Sequence, residues 1–222
     1  MKNLSARETI DFSGYKWRTK NSVHEVAGPG PNYWSSSGRN LRLDESGNLH
    51  LRIDEHKGRW YATEVWLDKA LGYGTYRFKV SFPDPLVDEN VVFGLFNYLN
   101  DKKEFDIEIS QWGQETSLNA GFAVQPAGTD HNTHRFALNL ERGATNIFTF
   151  TWTRNELTFQ CMNCKTNDCS QSTLSEQWQY EGSSVPSGNL KTHMNLWLVD
   201  GKPPTNGKEV EIIIEDFSFV PL

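Results

Sequence analysis

Apolar and polar residues alternate with a period of two along most of this chain: in LRL, LHLRI, ATEVWL, GTYRFKVSF, VVFGLFNYL, EFDIEIS, RFALNL, NIFTFTW, ELTFQ, HMNLWLV and EVEIIIEDFSFV. Successive side chains of a strand point to opposite faces, so this pattern buries one face, whereas a helix needs apolar residues three and four apart. No window carries that helical spacing over any length. Turn chemistry such as ESGN, LGYG and DGKPP falls between many of the alternating segments. The pattern predicts an all-β fold, one antiparallel β-sandwich. At 222 residues, with no internal repeat and no low-complexity linker, residues 1–222 are expected to form a single domain.

Charge narrows the function. A formal net charge of -6 supplies no basic footprint for nucleic acid or an anionic membrane surface. No apolar run approaches the roughly 18 to 20 residues that span a bilayer, and the opening MKNLSARETI carries no apolar signal segment, which leaves export open. Aromatics make up 13% of the residues, with 8 Trp, which suits a β-protein that has an aromatic-lined polar groove besides its core. The cysteines Cys161, Cys164 and Cys169 crowd into FQCMNCKTNDCS, where no fourth Cys or His completes a zinc site. A loop disulfide with one spare thiol, or three free thiols, remains.

Strand parity then sorts side chains by face. In EFDIEIS, Phe105, Ile107 and Ile109 form the core set, so Glu104, Asp106, Glu108 and Ser110 stand on the opposite side. In HMNLWLV, Met194, Leu196 and Leu198 are the core set, leaving His193, Asn195 and Trp197 outward. Phe96 and Tyr98 share one face of VVFGLFNYL, and Leu95 and Asn97 the other. Three carboxylates at alternate positions, in a strand that follows an apolar one across the short hairpin NDKK, call for a chemical reason. Glycoside hydrolysis supplies one: a retaining glycosidase needs a carboxylate nucleophile and a carboxylic acid roughly 5 to 5.5 Å apart, flanking the scissile bond. A third acid between them can hydrogen-bond the nucleophile and, by its charge, raise the proton affinity of the other.

Glu104-Phe105-Asp106-Ile107-Glu108 resembles the Glu-x-Asp-x-Glu signature of glycoside hydrolase family 16, in the form without an inserted residue that lichenases and xyloglucan or chitin transglycosylases carry. Tyr73-Gly74-Thr75-Tyr76-Arg77-Phe78, Phe96-Asn97-Tyr98 and Met194-Asn195-Leu196-Trp197 resemble further family segments, in family order across roughly residues 41–220. The resemblance implies a concanavalin A-like jelly roll of two curved antiparallel sheets whose concave face binds a β-linked polysaccharide, mixed-linkage glucan being the first expectation. It implies Glu104 as nucleophile, Asp106 as its helper and Glu108 as general acid and base. Phe96, Tyr98, Asn195 and Trp197 would then contact sugar. Glu64 falls where lichenases keep a cleft glutamate, and Trp66, on the same face, replaces an arginine of that pattern.

Other positions carry weaker signals. Trp112 continues the parity of the acids and is a platform or a packed rim residue. Asn119 and Gln125 share a face of LNAGFAVQ and are further cleft candidates, while His131 and His134 in TDHNTH read as exposed loop histidines. Lys103 replaces the acid that many relatives have before the nucleophile. The resemblance further implies a structural calcium held by Asp216, with the turn carbonyl of Gly47 as a second ligand, and no cofactor for the chemistry. The expected partner is a polysaccharide or oligosaccharide, with neither nucleic acid nor membrane, acted on by a secreted or periplasmic monomer. A binding module on the same fold, or a transglycosylase using the same acids, are the alternative expectations.

Overall fold

The computed structural model describes residues 8–22, 24–84, 88–128, 131–166 and 168–222. Residues 1–7, within the segment read for an export signal, and residues 129–130 of TDHNTH lie outside that description. The described residues form strands β1 (Thr9–Phe12), β2 (Tyr15–Thr19), β3 (Tyr33–Trp34), β4 (Leu41–Leu43), β5 (Leu49–His56), β6 (Arg59–Leu67), β7 (Gly74–Ser81), β8 (Val91–Asn100), β9 (Lys103–Ser110), β10 (Ala120–Val124), β11 (Thr133–Phe136), β12 (Thr145–Trp152), β13 (Leu157–Cys164), β14 (Ser172–Tyr180), β15 (Lys191–Leu198) and β16 (Val210–Pro221). Their helical content is one 3₁₀ turn, Val199–Gly201.

Two antiparallel layers result. One runs β11-β10-β9-β8-β15-β6-β2-β1 and the other β4-β5-β16-β7-β12-β13-β14, with the β5–β6 hairpin joining them into one curved, nearly closed sheet. The all-β architecture expected from the alternation, and the jelly roll implied by the resemblance, are therefore present.

The face assignments hold. Phe105, Ile107 and Ile109 are fully buried, as are Met194 and Leu196. Phe105 packs edge-on against Phe150 of β12 at 4.9 Å and beside Trp152 at 5.5 Å. Each such side chain contributes about 2 to 3 kcal/mol by leaving water. The strand of acids is thus clamped from behind by the aromatic rows of the other layer.

Some local readings change. RFALNL is strand only as far as Phe136, because Leu138 N–H and C=O bond the Asn119 side chain instead of a ladder partner. Strands β1, β2, β3 and β14 had no counterpart in the alternation. His134 sits within β11 rather than in an exposed loop, stacked on Trp178 at 6.1 Å and facing Glu176 at 3.3 Å; His131 is exposed as expected. Of the cysteines, Cys164 and Cys169 form a disulfide, and Cys161 is buried and free.

Candidate active site

The acids of β9 lie on the floor of a groove of about 580 Å³ lined also by Phe96, Tyr98, Asn195, Trp197 and Gln125. Register explains where that space comes from. Glu108 pairs with Gly94 on β8 and with Gly121 on β10, so both lateral neighbours of this acid lack a side chain. A Cβ at Gly94 would stand 2.6 Å from Asn195 Oδ1, and one at Gly121 would stand 2.9 Å from Arg135 Cδ. The two glycines let Asn195 lean in from one side and Arg135 from the other. Asn195 is 4% exposed, and its Oδ1 is buried without a hydrogen-bond partner. A buried acceptor left unmade costs about 1 to 3 kcal/mol, so this oxygen is set to take a donor from a bound molecule.

The three carboxyls hold protons unusually well. Burial comes first as the cause in all three, raising Glu104 to about 7, Glu108 to about 8, and Asp106, only 4% exposed, well above the carboxylate range. Glu104 and Asp106 share a hydrogen bond that lowers the former and raises the latter, which makes Asp106 the proton donor of that pair. Gln125 also bonds Asp106. After burial, the charge of Glu104 raises Glu108, while Glu104 and Glu108 in turn raise Asp106. Glu104 is the first of the set to ionise.

Next to the acids runs a wall of rings. His193 lies between Phe96, at 4.8 Å and 26°, and Trp66, at 5.9 Å and 13°, with Tyr98 edge-on at 5.8 Å. Phe96 and Trp66 each turn one face to His193. Glu64 fixes the imidazole through Nδ1 at 2.9 Å and takes Lys20 Nζ at 2.7 Å on its other oxygen. Those contacts hold its carboxyl below the ordinary value although burial pushes the other way. Lys20 also donates to Gly28 O at 2.6 Å and sits 4.0 Å over the Trp34 ring. Sequence reasoning missed Lys20 altogether and gave His193 a face but no role.

Trp197 stands on the groove face but is only 7% exposed, packed with Trp34, Ala62 and Val92. Trp112 is the accessible indole: 36% exposed, held at φ 57 in the left-handed region, and edge-on to Trp197 at 5.6 Å. A bulky residue in that backbone region is strained, and Ser110 Oγ accepts its N–H at 2.9 Å. Asn119 is outside the groove, committed to Leu138; Gln125 is inside it. Lys103 reaches Ser187 O at 3.2 Å on the rim.

Of the expected calcium donors, Asp216 is tied to a neighbouring hydroxyl. Asp216 Oδ1 accepts the Ser13 hydroxyl at 3.0 Å, and that hydroxyl accepts the Phe217 N–H, which pins the β1–β2 turn to β16. The turn at Gly47 closes on Asp44. Among the described residues no three His, Cys, Asp or Glu side chains converge as a metal site, so a calcium ion would rest on one carboxylate and backbone carbonyls.

Curvature, strand order and a carboxylate-floored groove define a jelly roll of the β-glucanase type. The Bacillus licheniformis β-glucanase superposes with a TM-score of 0.67 at 15% identity, over 99% of this chain and 100% of its own. A β-1,3-1,4-glucanase (lichenase) from a mouse hindgut metagenome gives 0.65 at 17%, over 93% of each chain. A pseudo β-1,3-glucanase of Mycobacterium tuberculosis gives 0.63 at 18%, over 90% of this chain and 88% of its own. No protein-family model matches the chain, and no curated protein does. Among the described residues no helix is long and apolar enough to cross a membrane.

Proposed function

We propose that the chain is a retaining endo-β-glycan hydrolase of the glycoside hydrolase family 16 type. The observation that carries this reading is the set Glu104, Asp106 and Glu108 on a groove floor, Asp106 buried and the two glutamates half-buried, with a gap on each side of Glu108. Three acids of raised proton affinity so placed burden a fold, and a module that only binds glycan has no use for them. The second reading is nonetheless such a module, because the same fold occurs in a protein described as a pseudo β-1,3-glucanase.

In the first step Glu104 attacks the anomeric carbon while Glu108 gives its proton to the departing glycosidic oxygen, and the C–O bond breaks. In the second, Glu108 takes a proton from water as that water displaces Glu104, so the acid set returns to its starting state. Asp106 holds Glu104 in place by donating to it. Asn195 Oδ1 accepts a sugar hydroxyl, and His193 and Trp66 border the next sugar along the sheet. The substrate is a β-linked glucan, with mixed-linkage glucan first; the unbulged motif and the lichenase-like fold support it, while Trp66 in place of an arginine alters the subsite there. A screen on mixed-linkage glucan, laminarin, xyloglucan, chitin oligomers and algal galactans with product analysis tests the reading. No cleavage of any of them, with glycan still bound, would move it to the binding module.

Two expected outcomes follow from this site. Turnover requires Glu104 ionised and Glu108 protonated, so kcat/KM should rise as pH climbs through about 7 and fall as it passes about 8. A pH–rate profile with its maximum near pH 5 would contradict that electrostatic picture. Trp197→Ala should cost about 3 to 5 kcal/mol of stability by opening a cavity under residues 28–32, read as a lowered Tm. Trp112→Ala should instead leave Tm nearly unchanged and weaken oligosaccharide binding by about 1 to 3 kcal/mol, as loss of an aromatic stacking platform does.

A further inference from the structure

Arg135 has no part in the reaction just described, yet its position is specific. It pairs with Gly121, and Gly121 pairs with Glu108, so the three stand in a row across β11, β10 and β9 on the groove face. The middle position is empty of side chain, and a Cβ there would meet Arg135 Cδ at 2.9 Å and His134 O at 3.4 Å. Through that gap the arginine stem crosses the whole of β10. At the far side Nη2 donates to Ser110 O at 2.9 Å and to Leu118 O at 2.9 Å. The guanidinium is therefore tied to β9 two residues beyond Glu108, and to the loop that carries Trp112.

We propose that Arg135 is a positioning residue for the acid and base: threaded over Gly121, it holds a fixed positive charge beside Glu108 that favours the carboxylate left after proton donation. The proposal rests on the hydrolase reading for its purpose, but not for its test. The groups around Glu108 are few. Its own strand supplies Glu104 and Asp106; β8 and β10 place Gly94 and Gly121 beside it; β15 contributes Asn195, which is uncharged; and Trp112 follows in the next loop. Of these neighbours Arg135 is the cation. Burial and Glu104 hold the proton on Glu108, while Arg135 acts against them; burial lowers the proton affinity of Arg135, and Glu108 works against that. Without that opposing charge the acid would give up its proton reluctantly in the first step.

A purely structural clip between β11 and the Trp112 loop is the competing account, and titration separates the two. Protein labelled with ¹³C at glutamate carboxyls is followed by NMR against pH, with the Glu108 signal assigned by its loss in Glu108→Gln. Arg135→Gln should raise the Glu108 midpoint by about half a unit to one unit, the scale of a nearby, partly solvated opposite charge. Arg135→Lys, which keeps the charge, should move it less. Gly121→Ala, which obstructs the stem but keeps the arginine, should raise it in the same direction. A midpoint within about 0.2 units of the unmutated protein in a folded Arg135→Gln variant would overturn the proposal, and if that variant fails to fold, an unmoved midpoint in Gly121→Ala does so. None of these readings needs turnover. Aryl glycoside hydrolysis measured in parallel should show the alkaline limb of the rate profile following the midpoint; absence of hydrolysis by the unmutated protein overturns the hydrolase reading and leaves the titration to judge Arg135.

Discussion

Glu104→Ala should abolish turnover on every substrate, by about 10⁴-fold or more, as removal of a catalytic nucleophile does. The expectation follows from geometry and electrostatics together. Glu104 is the carboxyl of lowest proton affinity in its set, and Asp106 donates a hydrogen bond that steadies its charged form. With the carboxylate gone no glycosyl enzyme can form. The space that the side chain vacates lies in the open groove, so a small anion such as azide should enter it and restore product from a substrate with a good leaving group. That product should carry inverted configuration, because only one displacement then occurs. Wild-type rates in this variant, measured as kcat/KM, would remove the nucleophile assignment.

Glu108→Ala should fail in a different way. A sugar bearing a leaving group of low pKa departs without a proton, so the first step should proceed and the second should stall for want of a base. The expected signature is a burst of leaving group equal to the enzyme present, followed by a steady rate reduced by about 10²- to 10⁴-fold, and near-complete loss of activity on polysaccharide. An equal loss on activated and natural substrates would instead mean that Glu108 serves binding or structure. The two variants are a matched pair, since each acid sits on the same strand and face.

Much of this site was legible from strand parity. The apolar residues of EFDIEIS and HMNLWLV can be buried on one side only, and that puts the acids, His193, Asn195 and Trp197 on the other. Cross-strand register was not legible, because it depends on which segments pair. Gly94 and Gly121 gain their meaning only from β8 and β10 lying on either side of Glu108. Arg135 opens the alternating segment RFALNL, but which strands lie beside that segment was not legible for the same reason.

Trp197 shows the other limit. Parity places it on the groove face, but the residues that bury it, Trp34, Ala62 and Val92, come from three distant segments. Lys20 directly follows β2, whose short YKWRT carries too little apolar alternation to stand out. Strand β14 escaped because it is largely exposed and has little core face to announce it. Edge and entry strands with few buried residues leave a weak hydrophobic signature.

The central claim is that Glu104 and Glu108 act from opposite sides of one bond in two successive displacements. Proton NMR of the reducing end released by the unmutated protein, recorded in the first minutes before mutarotation, tests it most directly. Two inversions predict that the β-anomer appears first and the α-anomer grows in only afterwards; an α-anomer formed first would contradict the account.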